Sequence, residues 1–246
     1  AAVRFTHIQN MATHSYKQPL ELVYRPPKKN SQGGFSVYVS GKASDGDAFK
    51  IIVQTPRMRV PFGVNSLKTE TGAEKFSLDL SFQGKGDNPD VDAFYDFIHG
   101  FDEKILDEAF ARSREWFAKE MKRDVLQEFY RKMVKEAKDP KWADTFKVKL
   151  PYRYDRLDVE LFDQNRKHMA ATDVTAGCEA VLLIECSGLW FVNKIFGCGW
   201  NLIQGKIYAP NKINGYALRD LPEDAELSKH SNALPIVPVS PTAGPK

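Results

Sequence analysis

Residues 55 to 63 read TPRMRVPFG, which sets Arg57, Arg59 and Phe62 in a segment stiffened by Pro56 and Pro61. Lys50 lies just upstream, and no acid occurs anywhere from Lys50 to Lys68. A single-stranded nucleic acid asks two things of a protein: cations that follow its phosphates, and flat side chains on which bases stack for about 1–3 kcal/mol each. This segment offers both. So does KVKLPYRY, residues 147 to 154, where Lys147 and Lys149 share one strand face and lead into Tyr152, Arg153 and Tyr154. Lys50, Arg57, Arg59, Lys147, Lys149 and Arg153 are therefore candidate phosphate contacts, and Phe62, Tyr152 and Tyr154 candidate stacking groups. Each group also has a plainer reading, with the arginines and lysines as solvated surface and Phe62 as a plug in the core.

Other chemistry is thinly represented. The sequence has no G-x-S-x-G, G-x-x-x-x-G-K-[ST], G-x-G-x-x-G or H-E-x-x-H motif. The histidines His7, His14, His99, His168 and His230 are scattered, with none in a metal-ligand pair. GDNPDVD at 86 to 92 has the acid content of a calcium loop but lacks its sixth-position glycine, and it suits a helix start better. Asp155, Asp158, Glu160 and Asp163 would make a carboxylate cluster only if strand alternation did not put Asp158 and Glu160 on a solvated face. Cys178, Cys186 and Cys198 are odd in number and lack paired C-x2-C spacing, which fits reduced, buried cysteines rather than a disulfide framework or a zinc site. No catalytic residue, metal or cofactor is expected, and the chain is not expected to be an enzyme.

The net charge of +3 hides a strong asymmetry. Residues 1 to 68 carry ten Lys or Arg and three acids, a balance of +7, whereas residues 87 to 115 carry nine acids and three bases, a balance of −6. Such segregation builds one surface that attracts a polyanion and another that does not. With 42% apolar residues over 246 positions, the chain can bury a substantial core. No window approaches the roughly 18 consecutive apolar residues of a membrane span, and the first residues lack signal-peptide order, so an intracellular location is expected.

The elements that position the candidates follow from periodicity. Residues 34 to 41, 49 to 54 and 75 to 82 have strand character and are separated by turn chemistry, which predicts an antiparallel meander. Asn88 and Pro89 then open a helix, and apolar residues recur mostly every four positions up to Asp139-Pro140. A helical insert is expected at about 88 to 139, with Gly100 as a possible break or kink. Its stripe of Trp116, Phe117, Met121 and Phe129 suits core or dimer contact. Strand signals return at 145 to 150, 157 to 162, 180 to 191 and 196 to 208, and Trp190, Phe191 and Trp200 are expected in the core. The predicted fold is mainly β with an inserted helix (α+β): a Greek-key barrel of the oligonucleotide-binding (OB) class at 34 to 209, with a long amphipathic helix between strands three and four. Residues 1 to 33 are expected to form a basic arm, and residues 210 to 246, where four acids balance four bases, an extended tail.

The run KFSLDLSF, the acidic-starting helix, TFKVKLPYRY and CEAVLLIECSGLWFVNKIFGCGWNLIQGKIY together resemble the replicative single-stranded-DNA-binding proteins of short-tailed coliphages and their relatives in large nucleocytoplasmic DNA viruses. QTPRMRVPFG and the closing hairpin GLWFVNKIFGCGWNLIQGKIY look most like the viral branch of eukaryotes. The resemblance covers about residues 34 to 208. It implies an OB barrel, binding without base specificity, homodimerisation, and work beside polymerase, helicase and recombination proteins in the host nucleus or a cytoplasmic viral replication site. The phage proteins carry an acidic C-terminal tail that contacts partners and competes with DNA. Here the last residues are charge-balanced and end GPK, with only RDLPEDAE as an acidic patch. A virion structural or interaction protein, using the same barrel as an assembly surface, is the alternative.

Overall fold

In residues 74 to 81, Leu78 and Leu80 are buried while Ser77 and Asp79 face the other way, as the alternation of KFSLDLSF requires. The computed structural model describes residues 13–29, 34–69 and 72–210. The expected tail falls almost wholly in a separate unit, Asn211–Lys246, outside the described residues. Nine strands come first: β1 Glu21–Tyr24, β2 Lys28–Lys29, β3 Phe35–Val37, β4 Val39–Lys42, β5 Ala48–Phe49, β6 Ile52–Gln54, β7 Met58–Arg59, β8 Val64–Lys68 and β9 Glu74–Ser81. Three helices follow: α1 Pro89–Ala111, α2 Ser113–Phe117 and α3 Arg123–Phe129. Then come β10 Tyr130–Arg131, β11 Val134–Lys135, β12 Thr145–Leu150, β13 Tyr152–Arg153, β14 Arg156–Leu157, β15 Glu160–Phe162, β16 Glu179–Val192 and β17 Ile195–Tyr208. The protein is mainly β.

Strand β9 pairs antiparallel with β12 through six residues and with β8 through five. It meets β7 at Arg59↔Ser81, and β7 meets β16 at Met58↔Ala180. The long hairpin of β16 and β17 follows, and β17 meets β12 in parallel at Lys149↔Asn201. The pairings β17–β12–β9–β7–β16 thus return to β17. Buried side chains from these strands, including Leu78, Leu80, Phe146, Val148, Ala180, Leu182 and Trp200, fill one side.

The expected meander is only partly formed. β4 and β5 pair, but β3 and β6 both pair with β16, and β9 pairs with β8 and β12 instead of β6. The 14-residue β16 decides this, because its inward positions give the early strands a continuous apolar partner. Within the segment expected as an arm, Glu21–Tyr24 pairs with β4 and Lys28–Lys29 with β3. Leu20 and Tyr24 are buried.

Helix α1 starts where its chemistry says it should. The Asn88 side chain accepts from the Asp90 amide at 3.0 Å, Pro89 needs no donor in the first turn, and Asp90 and Asp92 complement the positive end of the helix dipole. Its face of Val91, Phe94, Ile98, Phe101 and Ile105 lies on the sheet, with Phe94 edge-on to Phe146 and Phe101 edge-on to Trp200. Each such side chain contributes about 1.5–3 kcal/mol on burial. The helix passes through Gly100 unbroken.

The single long helix is corrected to three. Apolar residues spaced by four advance roughly 40° per step beyond one turn of 3.6 residues, so the stripe winds off any one face. The chain therefore ends α1 at Ala111, turns through Ala118 in the left-handed region (φ 60), and restarts at Arg123 to keep Trp116, Met121 and Leu126 buried. Tyr130–Arg131 then leaves the helix to pair with β17. Of the hairpin aromatics, Phe191 and Trp200 are buried and Trp190 is half-buried. Two of the three cysteines, Cys178 and Cys186, are buried, Cys198 is half-buried, and all are free thiols.

Candidate nucleic-acid interface

On the outward face of β9, successive positions are Ser81, Asp79, Ser77 and Lys75. The register places Arg59 beside Ser81, Lys147 beside Asp79 and Lys149 beside Ser77. Arg59, Lys147, Lys149 and Lys75 thus form a line of four cations, over roughly 20 Å at the rise of a strand. Two of these, Lys147 and Lys149, face outward because Phe146, Val148 and Leu150 must face inward. The one carboxylate in the line, Asp79, accepts from Asn65 Nδ2 at 3.2 Å. Among the described residues no carboxylate lies within ion-pair distance of Lys75, Lys147 or Lys149. Lys149 lies close over Gly199, where a methyl group would sit 3.1 Å from Nζ. Loss of hydration pushes its ammonium below the ordinary lysine range; the Cys198 sulfur acts against this, while Lys75 adds to it. An anion placed there would favour the charged form and so act against the shift.

Downstream of β12 the chain makes a tight hairpin. Tyr152 pairs with Leu157 and Arg153 with Arg156, and the two turn residues Tyr154 and Asp155 both have positive φ (54 and 56). That is the two-residue turn whose twist suits flanking strands, here formed without glycine. Tyr154 is 93% exposed, while Tyr152 packs against Phe76 at 5.0 Å between ring centroids. The hairpin therefore displays one free aromatic face between two arginines, while Tyr152 is held against β9 through Phe76.

The loop of Arg57, Arg59 and Phe62 is pinned at its base. Val60 donates to the Cys178 carbonyl and accepts from the Gly177 amide, each at 2.8 Å. Gly63, at φ 70, approaches the Val174 carbonyl so closely that a Cβ would stand 2.6 Å from it. Phe62 is 64% exposed and so does not plug the core. The Arg57 guanidinium carbon lies over the Tyr208 ring, 4.0 Å from its centroid, and the guanidinium pairs with Glu179 at 2.5 Å. Arg59 donates to Gln83 Oε1 at 3.2 Å, and Lys50 pairs with Glu185 at 3.1 Å.

The candidates therefore divide into two groups. Arg59, Lys147 and Lys149 share the β9–β12 face, and Arg153 and Tyr154 share the hairpin that follows it. Lys50 and Arg57 are already engaged by carboxylates of β16. Sequence reasoning missed Lys75, Arg156, Lys206 and Tyr208. Lys75 lies in the alternating run KFSLDLSF, so its outward direction was readable. Tyr208 meets Arg57 only through the β16–β17 register, and Lys206 Nζ lies 5.2 Å from the same ring. The carboxylates considered as a metal cluster serve local structure: Glu160 accepts from Gln204 at 3.1 Å, and Asp163 accepts from the Asn165 and Lys167 amides.

Comparison with solved structures finds a single-stranded DNA-binding protein from bacteriophage Enc34, at 15% identity and TM-score 0.39, over 85% of this chain and 99% of that one. The same phage protein in complex with single-stranded DNA is similar at 13% identity and TM-score 0.42, over 77% of this chain and 98% of the other. So is gp2.5, a single-stranded DNA binding protein encoded by bacteriophage T7, at 13% identity and TM-score 0.43, over 78% of this chain and 100% of the other. Comparison with curated proteins gives no match. A model described as a family of unknown function (DUF5871) matches residues 87–222, more than half of the sequence, and the chain belongs to that family.

Proposed function

We propose that this protein binds single-stranded DNA with little regard for base sequence, holding phosphates on the β9–β12 face and stacking a base on the hairpin beside it. The observation that carries this reading is the line Arg59, Lys147, Lys149 and Lys75, three of them without a carboxylate partner among the described residues, leading to Tyr154 between Arg153 and Arg156. Nothing in that arrangement performs bond chemistry. A line of cations with a free aromatic tracks a backbone and accepts any base. Lys50, Arg57 and Phe62 extend the contact once Glu185 and Glu179 give way to phosphate.

The ring of pairings supports reading the sheet as an OB-type barrel, with α1 inserted between β9 and β12. The finer role follows the resemblance of KFSLDLSF, TFKVKLPYRY and the closing hairpin. In that role a non-enzymatic viral protein, acting as a homodimer beside polymerase or helicase, coats strands exposed in replication, recombination and repair. The test is a titration of fluorescent oligo-dT against duplex DNA of equal length. Tighter binding of the single strand supports the reading, and equal or weaker binding removes it.

A further inference from the structure

A cavity of about 390 Å³ opens between α2, the end of α3 and the tip of the β16–β17 hairpin, away from the residues assigned to strand binding. Phe35, Trp116, Phe117 and Phe191 wall it. Three of the rings near it are already stacked. Phe196 lies 5.3 Å from Phe191 at 7° between planes, and Phe191 lies 4.1 Å from Phe35 at 15°. Phe35 ends this stack half-buried, so a further flat group can continue it.

The polar groups are equally specific. Trp116 is 3% exposed, yet its indole N–H finds no acceptor among the described residues. A buried donor left unpaired costs about 1–3 kcal/mol. Lys119 and Lys194 are exposed on the lining, without an ion-pair partner among the described residues. Lys29 is the register partner of Phe35 and shares its face. The one acid of the lining, Glu115, is engaged by Arg112 at 3.8 Å. A planar group with an attached anion matches the stacked rings and the two exposed lysines, and a nucleotide has both. The volume lies in the range of small-molecule sites.

We infer that this cavity takes one nucleotide of the bound strand, its base continuing the Phe196–Phe191–Phe35 stack and its phosphate between Lys119 and Lys194. The inference rests on the single-stranded DNA reading. It is tested by photocrosslinking oligo-dT that carries 5-iodouracil, with the attachment sites mapped by mass spectrometry. Crosslinks at Phe35 or Trp116–Phe117 are expected, and Lys119→Glu with Lys194→Glu should abolish them while leaving the melting temperature unchanged. Phe35→Leu, which keeps the bulk and removes the flat ring, should weaken oligo-dT binding about five- to a hundredfold. Crosslinks confined to the β13–β14 hairpin, with Phe35→Leu binding like the unaltered protein, overturn the inference and leave the proposed function standing. Absence of any oligo-dT binding overturns both.

Discussion

Arg153 and Arg156 face each other directly across the two-residue turn of the β13–β14 hairpin, with no carboxylate in ion-pair reach among the described residues. Like charges opposite one another destabilise a strand pair by a few tenths to about 1 kcal/mol. An arrangement that costs stability and concentrates positive charge around an exposed ring is what a polyanion site requires. Arg156→Glu should therefore raise the stability of the hairpin and weaken oligo-dT binding. Hydrogen exchange at the Arg153 and Leu157 amides and a binding titration check the two effects. Loss of both stability and binding would show that the arginine pair is structural.

Tyr154 carries its contribution in its ring. Its side chain is 93% exposed and makes no packing contact that a smaller residue would forfeit. Tyr154→Ala should lower affinity by about 1–3 kcal/mol, the value of one stacked base, with melting temperature unchanged. Tyr154→Phe should bind like the parent. If Phe and Ala variants bind equally weakly, the hydroxyl and not the ring makes the contact.

Glu179 competes with DNA for Arg57, whose guanidinium it holds at 2.5 Å. The pair is half exposed, so its own stabilising effect is small. Glu179→Gln should free the arginine and tighten oligo-dT binding a few-fold at low salt, with the gain fading as salt rises. Unchanged affinity at low salt would take Arg57 out of the interface.

Asp102 gives the fold a pH dependence that is independent of DNA. It lies on the buried face of α1, accepts from the Tyr130 hydroxyl and the Met133 amide, and burial pushes its carboxyl up to about 6. The ordinary value is 3.8, so between about 4 and 6 the folded chain holds a proton that the unfolded chain has lost. The contribution of this group to stability is thus present below about pH 4 and lost as pH rises through 6, on the order of 2–3 kcal/mol. Asp102→Asn should remove that component. Melting temperatures of parent and variant at pH 4.5 and 7.5 check it: the variant should gain on the parent at the higher pH. Parallel behaviour at both values would refute the assignment.

What the sequence disclosed and what it hid divides along physical lines. Alternation in KFSLDLSF and TFKVKL gave the right faces because burial on one side leaves no other register. Asn88-Pro89 gave the helix start because capping is local. The end of α1 was not legible, since it depends on where Trp116 finds Tyr24 and Phe191 to pack against. The partners of Lys50 and Arg57 were hidden for the same reason: Glu185 and Glu179 come from a strand more than a hundred residues away. The sequence left Lys147, Lys149 and Tyr154 open to an ordinary solvated reading, and it could not show that β9 brings Lys75, and β7 Arg59, into line with the two lysines.

The central claim is that phosphates sit along the β9–β12 face, and the salt dependence of oligo-dT binding tests it most directly. Each phosphate contact on a single strand adds about 0.7 to the slope of log affinity against log salt. The triple variant Lys75→Ala, Lys147→Ala, Lys149→Ala should bind more weakly and lose about 2 from that slope, while its melting temperature stays close to that of the parent. A triple variant that keeps both the affinity and the slope of the parent would contradict the account.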